Sequence, residues 1–414
     1  MNHTGVPGTG NDRISQFTLP RLERVVSGAG AVQSLPAELD RYGCTRVVIV
    51  TGKTLSVSNT VARLTAMLGG RCVAVFSDAR QHVPSGCVDL LVSAIRQHRA
   101  DGLVSVGGGS PIDAAKAAIH ALLGEPPAPP EPSEPSEPSA LVHIAIPTTL
   151  SAGEFTYVAG ITDEATRIKR AVYDVRLAPR TVIADPELTI ETPGWLWAAS
   201  GIRALDHAIE TLYAREVHPI SEPLAVRAID LLTRHLPKSL ELPTTNSRPP
   251  NSHGAFGNRE LEIGSVVDHR AQCQMAAWLA VFGITNAGFG LSHLLGHQIG
   301  PRWNVPHGVT SAIMLPHVMR FMADAVPKRF ARIAEGFGLP FDAGNPRRSA
   351  HACAEQAAEF IARFDLPQRL RGVDVPKGEL NDIADHVCDV LRDSSLVDRP
   401  IGARDLLRVL NAAY

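Results

Sequence analysis

The six cysteines of this 414-residue chain are Cys44, Cys72, Cys87, Cys273, Cys353 and Cys388, and no two form a CxxC pair. Such scatter argues against cysteine-type structural zinc and reads as free thiols in a reducing cytosol. Charge of one sign is also missing. The formal net charge is −2, with charged residues at 20%, which leaves no basic footprint for nucleic acid. No apolar run is long enough to cross a bilayer. The first 16 residues, MNHTGVPGTGNDRISQ, lack the apolar core of a secretion signal, so a flexible tail and a cytoplasmic location are expected. The GxGxxG fingerprint, the P-loop GK[ST] ending and internal repeats are absent as well.

What is present has a clear order. The run 46–50, RVVIV, reads as a buried parallel strand, and strands are expected again at 71–76, 102–106, 142–146, 169–176 and 181–184. Helical patterns separate them at 56–69, 85–99 and 111–123, and this alternation predicts a parallel α/β sheet. The insert 125–139, EPPAPPEPSEPSEPS, reads as an exposed polyproline-II-like loop that interrupts the sheet without ending it. From Pro193 onward the pattern is helical, with Thr189 or Thr192 as possible caps. The segment 241–260 reads as a polar loop, and helices are expected at 264–287, 309–324, 327–337, 348–364, 377–392 and 402–412. The expected division is a tail 1–16, an α/β dinucleotide-binding domain 17–193 and an all-helical domain 194–414.

Two loops and four histidines carry chemistry. Gly107, Gly108, Gly109 and Ser110 leave a strand and open a helix, where backbone amides can approach a phosphate. Asp113 could cap that helix. Thr148, Thr149 and Ser151 follow the next strand, and both loops should face one crevice at the carboxyl ends of the strands. His293 and His297 are four apart and share a helical face; His307 follows a proline-containing turn and His207 lies upstream in GIRALDHAIE. Converging imidazoles suit a metal site, a proton relay or both.

In this order, GGGSPIDAAK, IPTTLSAGEFT, LAPRTVIADPEL, DHAIE and GLSHLLGHQIG…VPHGVTSAIMLPHVM resemble the iron-containing (group III) alcohol dehydrogenase family over roughly residues 17–390. Within it, His82-Val83-Pro84, IPTTLSAGEFT and GIRALDHAIE are similar to the maleylacetate reductases. The resemblance implies a dehydroquinate synthase-like fold: an N-terminal Rossmann-like α/β domain, an all-α C-terminal domain and an active site between them. It implies NADH or NADPH as cofactor, held by Gly107, Gly108, Gly109, Ser110, Asp113, Thr148, Thr149 and Ser151. The strand 46–50 ends in Thr51-Gly52-Lys53 with no acidic residue to exclude a 2′-phosphate, so NADPH should be tolerated. It also implies a homodimer and a small anionic keto or unsaturated acid as substrate, with no nucleic-acid or membrane partner.

The family's metal site takes an aspartate, a histidine four residues later and two further histidines. The histidines match His207, His293 and His307, but Arg203 stands at the aspartate position. A cation cannot ligate a cation, and Asp206, about 100° around a helix from His207, reads as a poor substitute. Action without a divalent metal is therefore the expectation; otherwise His207, His293 and His307 would hold it. Arg203 would instead pair a substrate carboxylate. His297 is assigned to proton transfer or oxyanion stabilisation, and His82 would reach across the cleft. The expected catalytic set is His82, Arg203, His207, His293, His297 and His307, and the expected reaction is reduction of maleylacetate to 3-oxoadipate in aromatic-ring degradation. A metal-dependent alcohol or hydroxy-acid dehydrogenase, or a relative acting on another keto or unsaturated acid, are the alternatives.

Overall fold

The structure, a computed structural model, describes residues 17–124, 141–166, 169–215, 217–241, 255–288, 290–391 and 401–414. The expected tail 1–16, the insert 125–139 and residues 242–254 of the expected polar loop lie outside the described residues.

The first half is a sheet flanked by helices. In chain order its strands are β1 (Arg24–Ser27), β2 (Val47–Val50), β3 (Cys72–Phe76), β4 (Gly102–Gly107), β5 (Val142–Pro147) and β8 (Thr181–Ala184). They pair in parallel in the order β1-β8-β5-β4-β2-β3. Strands β2, β4, β5 and β8 are buried along their whole length, as Val/Ile-rich strands covered on both faces require. Helices α1 (Leu35–Arg41), α2 (Asn59–Leu68), α3 (Ser85–His98) and α4 (Gly109–Leu123) make the crossovers.

Residues 169–176 do not complete this sheet as expected. Lys169–Tyr173 is β7, antiparallel to β6 (Val158–Thr162) in a separate hairpin. Its sequence, KRAVY, alternates instead of running apolar, and a hairpin packed on one face needs only that alternation. Ile161 and Val172 pack toward α3 and α4. The opposite face looks into the cleft described below.

The second half is helical: α5 (Gly194–Tyr213), α6 (Ser221–His235), α7 (Ala255–Ala287), α8 (Leu291–Trp303), α9 (His307–Ala325), α10 (Ala331–Phe337), α11 (Pro346–Ile361), α12 (Leu380–Leu391) and α13 (Ala403–Ala413). Residues 255–260, expected in a loop, are the first turns of α7. Neither Thr189 nor Thr192 caps α5. Pro193 occupies that position, while the Thr192 hydroxyl donates to the Thr148 carbonyl at 2.7 Å and ties the helical half to a strand-end loop. Helix α5 is the axis of this half, with every residue from Trp197 to Tyr213 buried. It meets α9 so closely that a Cβ on Gly308 would lie 2.2 Å from the Ala199 carbonyl oxygen.

Candidate active site

The first loop follows from the end of β4. Gly107 sits at φ +137°, and a Cβ there would press on Pro111, so only glycine makes this turn. Gly108 opens α4 without a side-chain cap, leaving the first amides of the helix free for an anion. The second loop packs directly against the first. Thr148 N–H donates to the Gly107 carbonyl at 2.8 Å, and a Cβ on Gly108 would meet the Thr149 side chain. The two loops therefore face one cavity of about 620 Å³, which Lys53 and Trp195 also line. Its size and strand-end position suit a dinucleotide. Asp113 does not cap its helix. It lies beyond the first turn and accepts a long hydrogen bond from Gly160 N–H of the hairpin (3.4 Å).

A second cavity of about 370 Å³ adjoins the first. Gly109, Asp113, Ser151, Lys169, Arg203 and His307 line both, so they mark the point where the two meet. The histidines are stepped around this point. Ring centroids are 4.7 Å apart for His207 and His293, 6.4 Å for His293 and His297, 5.6 Å for His297 and His307, and 5.0 Å for His307 and His82. Burial holds His207, His293, His297 and His307 well below the ordinary histidine pKa, reinforced by Arg203 in each case and by Lys169 at His297 and His307. These imidazoles are neutral at pH 7.

His82 reaches the group from the α/β half. It and Val83 both adopt left-handed backbone, at φ 61° and 49°, an unfavourable conformation for a β-branched residue. The hairpin clamps this turn: Thr162 donates from its hydroxyl to the His82 carbonyl (2.7 Å) and from its amide to the Val83 carbonyl (2.9 Å). Gly300 leaves the room for the ring, since a Cβ there would stand 3.3 Å from His82 Cε1. Burial, then the Lys169 charge, pushes the His82 imidazole down to about 4.

Sequence reasoning missed Lys169. Its ammonium donates to His307 Nε2 at 2.9 Å from β7. A lysine beside an arginine in an alternating strand reads as a solvated edge, and no local signal marks it as internal. Burial depresses its pKa, with Arg203 acting in the same direction and Asp113 opposing.

Asp206 and Glu210 were undervalued for a different reason. On α5, Arg203, Asp206, His207 and Glu210 stand at i, i+3, i+4 and i+7, which is one helical stripe. Both i+3 and i+4 project toward the partner that i faces, so Asp206 belongs to the site. Its Oδ2 accepts from the Ser292 hydroxyl (2.8 Å) and the Ser311 hydroxyl (2.6 Å). Glu210 accepts from the amides of Gly290 (2.9 Å) and Ser292 (2.6 Å) and lies 2.5 Å from His293 Nδ1. A Cβ on Gly290 would sit 2.5 Å from the Glu210 carboxylate, so glycine is needed there.

Asp206, Glu210 and His293 thus gather ligand atoms within 4.8 Å of one another. Burial drives both carboxylates upward, Glu210 to about 7, and the charge of Glu210 adds to the rise at Asp206. Two buried carboxylates beside an imidazole hold either a proton or a cation. Asp206 Oδ1 also has no hydrogen-bond partner among the described groups. The donor set of two oxygens and one nitrogen fits a divalent transition-metal ion.

The comparisons bear directly on this site. Residues 22–186 match the iron-containing alcohol dehydrogenase family, and residues 261–414 match the C-terminal domain of the Fe-containing alcohol dehydrogenases. The chain belongs to the iron-containing alcohol dehydrogenase family. A maleylacetate reductase of a Pseudomonas species is 31% identical over 95% of this chain and 96% of its own. The NAD-dependent methanol dehydrogenase of Bacillus methanolicus is 32% identical over 85% of this chain and 86% of its own. The crystal structure of maleylacetate reductase from Agrobacterium tumefaciens superposes with a TM-score of 0.75 at 26% identity, covering 97% of this chain and 99% of that one. The chain is therefore an NAD(P)-dependent oxidoreductase of this family.

One expectation is corrected. Action without a divalent metal was inferred from Arg203 at the aspartate position, and both the iron-containing family and the buried carboxylate–imidazole group contradict it. The inference failed because it compared Asp206 with its neighbour His207 instead of with the stripe that both share. Arg203 does not occupy the ligand cluster. Its Nη1 donates to the Ser311 hydroxyl at 3.1 Å and stays 3.9 Å from Asp206. Nor do His207, His293 and His307 form the cluster as a trio: among the described residues His293 alone of the three joins it, and His307 is turned to Lys169.

Proposed function

We propose that this enzyme reduces the conjugated carbon–carbon double bond of a maleylacetate-type keto-enoic acid, with conversion of maleylacetate to 3-oxoadipate as the parent reaction. The observation that carries this reading is the pair of cations, Lys169 and Arg203, where the two cavities meet. Neutral alcohols and aldehydes make no use of two buried cations, whereas a carboxylate beside a reacting centre does. The maleylacetate reductase similarity over nearly the whole chain supports the same substrate class.

A nicotinamide cofactor bound along Gly107–Ser110 and Thr148–Ser151 would supply the hydride at that junction. A divalent ion held by Asp206, Glu210 and His293 would supply Lewis acidity. The chain's own groups do the rest. Arg203 and Lys169 bind the carboxylate and fix which face of the double bond is presented. His297, kept neutral, offers an N–H group to the enolate oxygen, which carries charge only as the reaction proceeds, and His307 accepts from the Lys169 ammonium and holds it at the junction. His82 covers the junction from the α/β side and limits access of water. Lys53, lining the larger cavity where an acidic residue would repel a 2′-phosphate, supports use of NADPH as well as NADH.

The test is oxidation of NADH and NADPH by maleylacetate on protein loaded with ferrous iron or zinc, with the product identified as 3-oxoadipate. Turnover supports the reading. Oxidation of simple alcohols with NAD⁺, together with no reduction of maleylacetate, would replace it with an alcohol dehydrogenase.

A further inference from the structure

The hairpin β6–β7 forms one wall of the 370 Å³ cavity, and its side chains change character along that wall. Alternate residues of a strand share a face, so Lys169, Ala171 and Tyr173 all look into the cavity. Their cross-strand partners on the same face are Thr162, Gly160 and Val158. The wall therefore runs from an ammonium, through two small residues, to an aromatic ring beside a valine. At about 3.4 Å per residue, the Cα atoms of Lys169 and Tyr173 stand about 14 Å apart. Gly160 is needed for this arrangement: a Cβ there would lie 2.0 Å from Lys169 Cε, so the lysine stem lies across the glycine.

The helical half adds both charged and apolar lining. Arg203, His297 and His307 stand at the cationic end. Val281 and Ile284, one turn apart on α7 and both buried, face the cavity as apolar wall. Tyr173 is 54% exposed, so its ring has open surface to offer a ligand in the cavity. Apart from Lys169, the described residues that the hairpin and α7 give the cavity's lining carry no cation. A second carboxylate placed at the Tyr173 end would gain no counter-charge from the described residues of the hairpin and α7.

We propose that the site prefers keto-enoic acids with one carboxylate, held by Lys169 and Arg203, and an apolar substituent of aryl size on the ketone, seated over Ala171 and against Tyr173. The inference rests on the enone reduction proposed above and names the substrate class for that site. In the reaction the carbon β to the ketone, which bears the carboxylate, gains the hydride. The double-bond electron pair moves to form the enolate, and the carbon α to the ketone takes a proton from water. NAD(P)H is oxidised to NAD(P)⁺ as the alkene is reduced, and no group leaves. The substituent is bonded to the ketone carbon but none of its own bonds forms or breaks, so its burial adds selectivity to the same reduction.

The probe is benzoylacrylate, in which a phenyl group replaces the carboxymethyl group of maleylacetate and the enone and first carboxylate are kept. Its kcat/KM on the metal-loaded enzyme is expected to exceed that of maleylacetate by about tenfold or more, the discrimination an apolar pocket gives. Ala171→Phe, which fills the tail position, should lower kcat/KM for benzoylacrylate about tenfold more than for maleylacetate. Tyr173→Glu, at an exposed strand position that folding tolerates, should act in the same sense. A ratio below about tenfold, or one that neither variant moves, overturns the assignment while leaving enone reduction intact. Reduction of neither acid would defeat the enone reading instead. In that case calorimetry on the NADP⁺-loaded protein decides the tail site alone. Benzoylpropionate binding about tenfold tighter than 3-oxoadipate supports it, and equal or weaker binding overturns it.

Discussion

Arg203 shows how much one position decides. Its guanidinium is buried, held by Ser311, and lines both cavities. Arg203→Ala should raise KM for a keto-enoic acid and lower kcat, with a combined loss of about a hundredfold in kcat/KM, ~2.7 kcal/mol of transition-state binding. Unchanged steady-state constants would remove it from the site. Asp206→Asn and Glu210→Gln address the metal instead. Each replaces an anionic ligand with an amide of the same shape, and bound iron or zinc measured after dialysis should fall from near one equivalent to a small fraction. Full occupancy in both variants would show that the ion sits elsewhere. The histidines and Arg203 were legible because they stand in spaced motifs. Asp206 became legible only when α5 was counted from Arg203, and Lys169 had no local signal at all.

At the level of elements, the site depends on close approaches that glycine permits. The α5–α9 crossing leaves no space for a Cβ at Gly308, which would strike the Ala199 carbonyl. Gly308→Ala should cost about 1–3 kcal/mol by overpacking and lower the thermal unfolding midpoint, because backbone cannot yield as a side-chain tip can. An unaltered midpoint would mean that the helices separate more easily than their packing suggests. The hairpin is the element that composition misplaced. Its alternating residues were taken for a strand of the main sheet, yet its separation is what turns Lys169, Ala171 and Tyr173 toward the cavity. The parallel strands were read correctly because unbroken Val/Ile runs have few other uses in a folded chain.

For the molecule as a whole, folding buries a charged cluster behind the strand-end loops. Lys116 lies wholly buried, donating to the Gly153 carbonyl, Thr156 Oγ1 and the Val158 carbonyl, and burial lowers its pKa to about 8. Between about pH 8 and 10.5 the folded chain has released a proton that the unfolded chain still binds. Stability from this group therefore rises with pH across that window. Glu154, raised by burial to about 7, acts oppositely: from pH 4.5 to about 7 the folded state binds the extra proton, and stability falls as pH rises. Urea unfolding of wild type and Lys116→Met over pH 7–10.5 should show the wild type gaining on the variant above pH 8. Parallel curves would show that Lys116 keeps its proton in the folded state.

The sequence by itself determined the class of this protein. Strand–helix alternation, the glycine loop after β4 and the ordered histidines lead to an α/β half, a helical half and a nicotinamide-dependent family, because each is encoded in spacing along one segment. Only the tertiary structure decided which charges meet. Lys169 from a hairpin, Asp206 and Glu210 from one helix and His293 from another are separated by tens of residues. Their distances depend on how the hairpin, α5 and α8 pack, which no local period records. The choice between metal and no metal turned on that packing, since a buried pair of carboxylates calls for a cation only once both are in the same place.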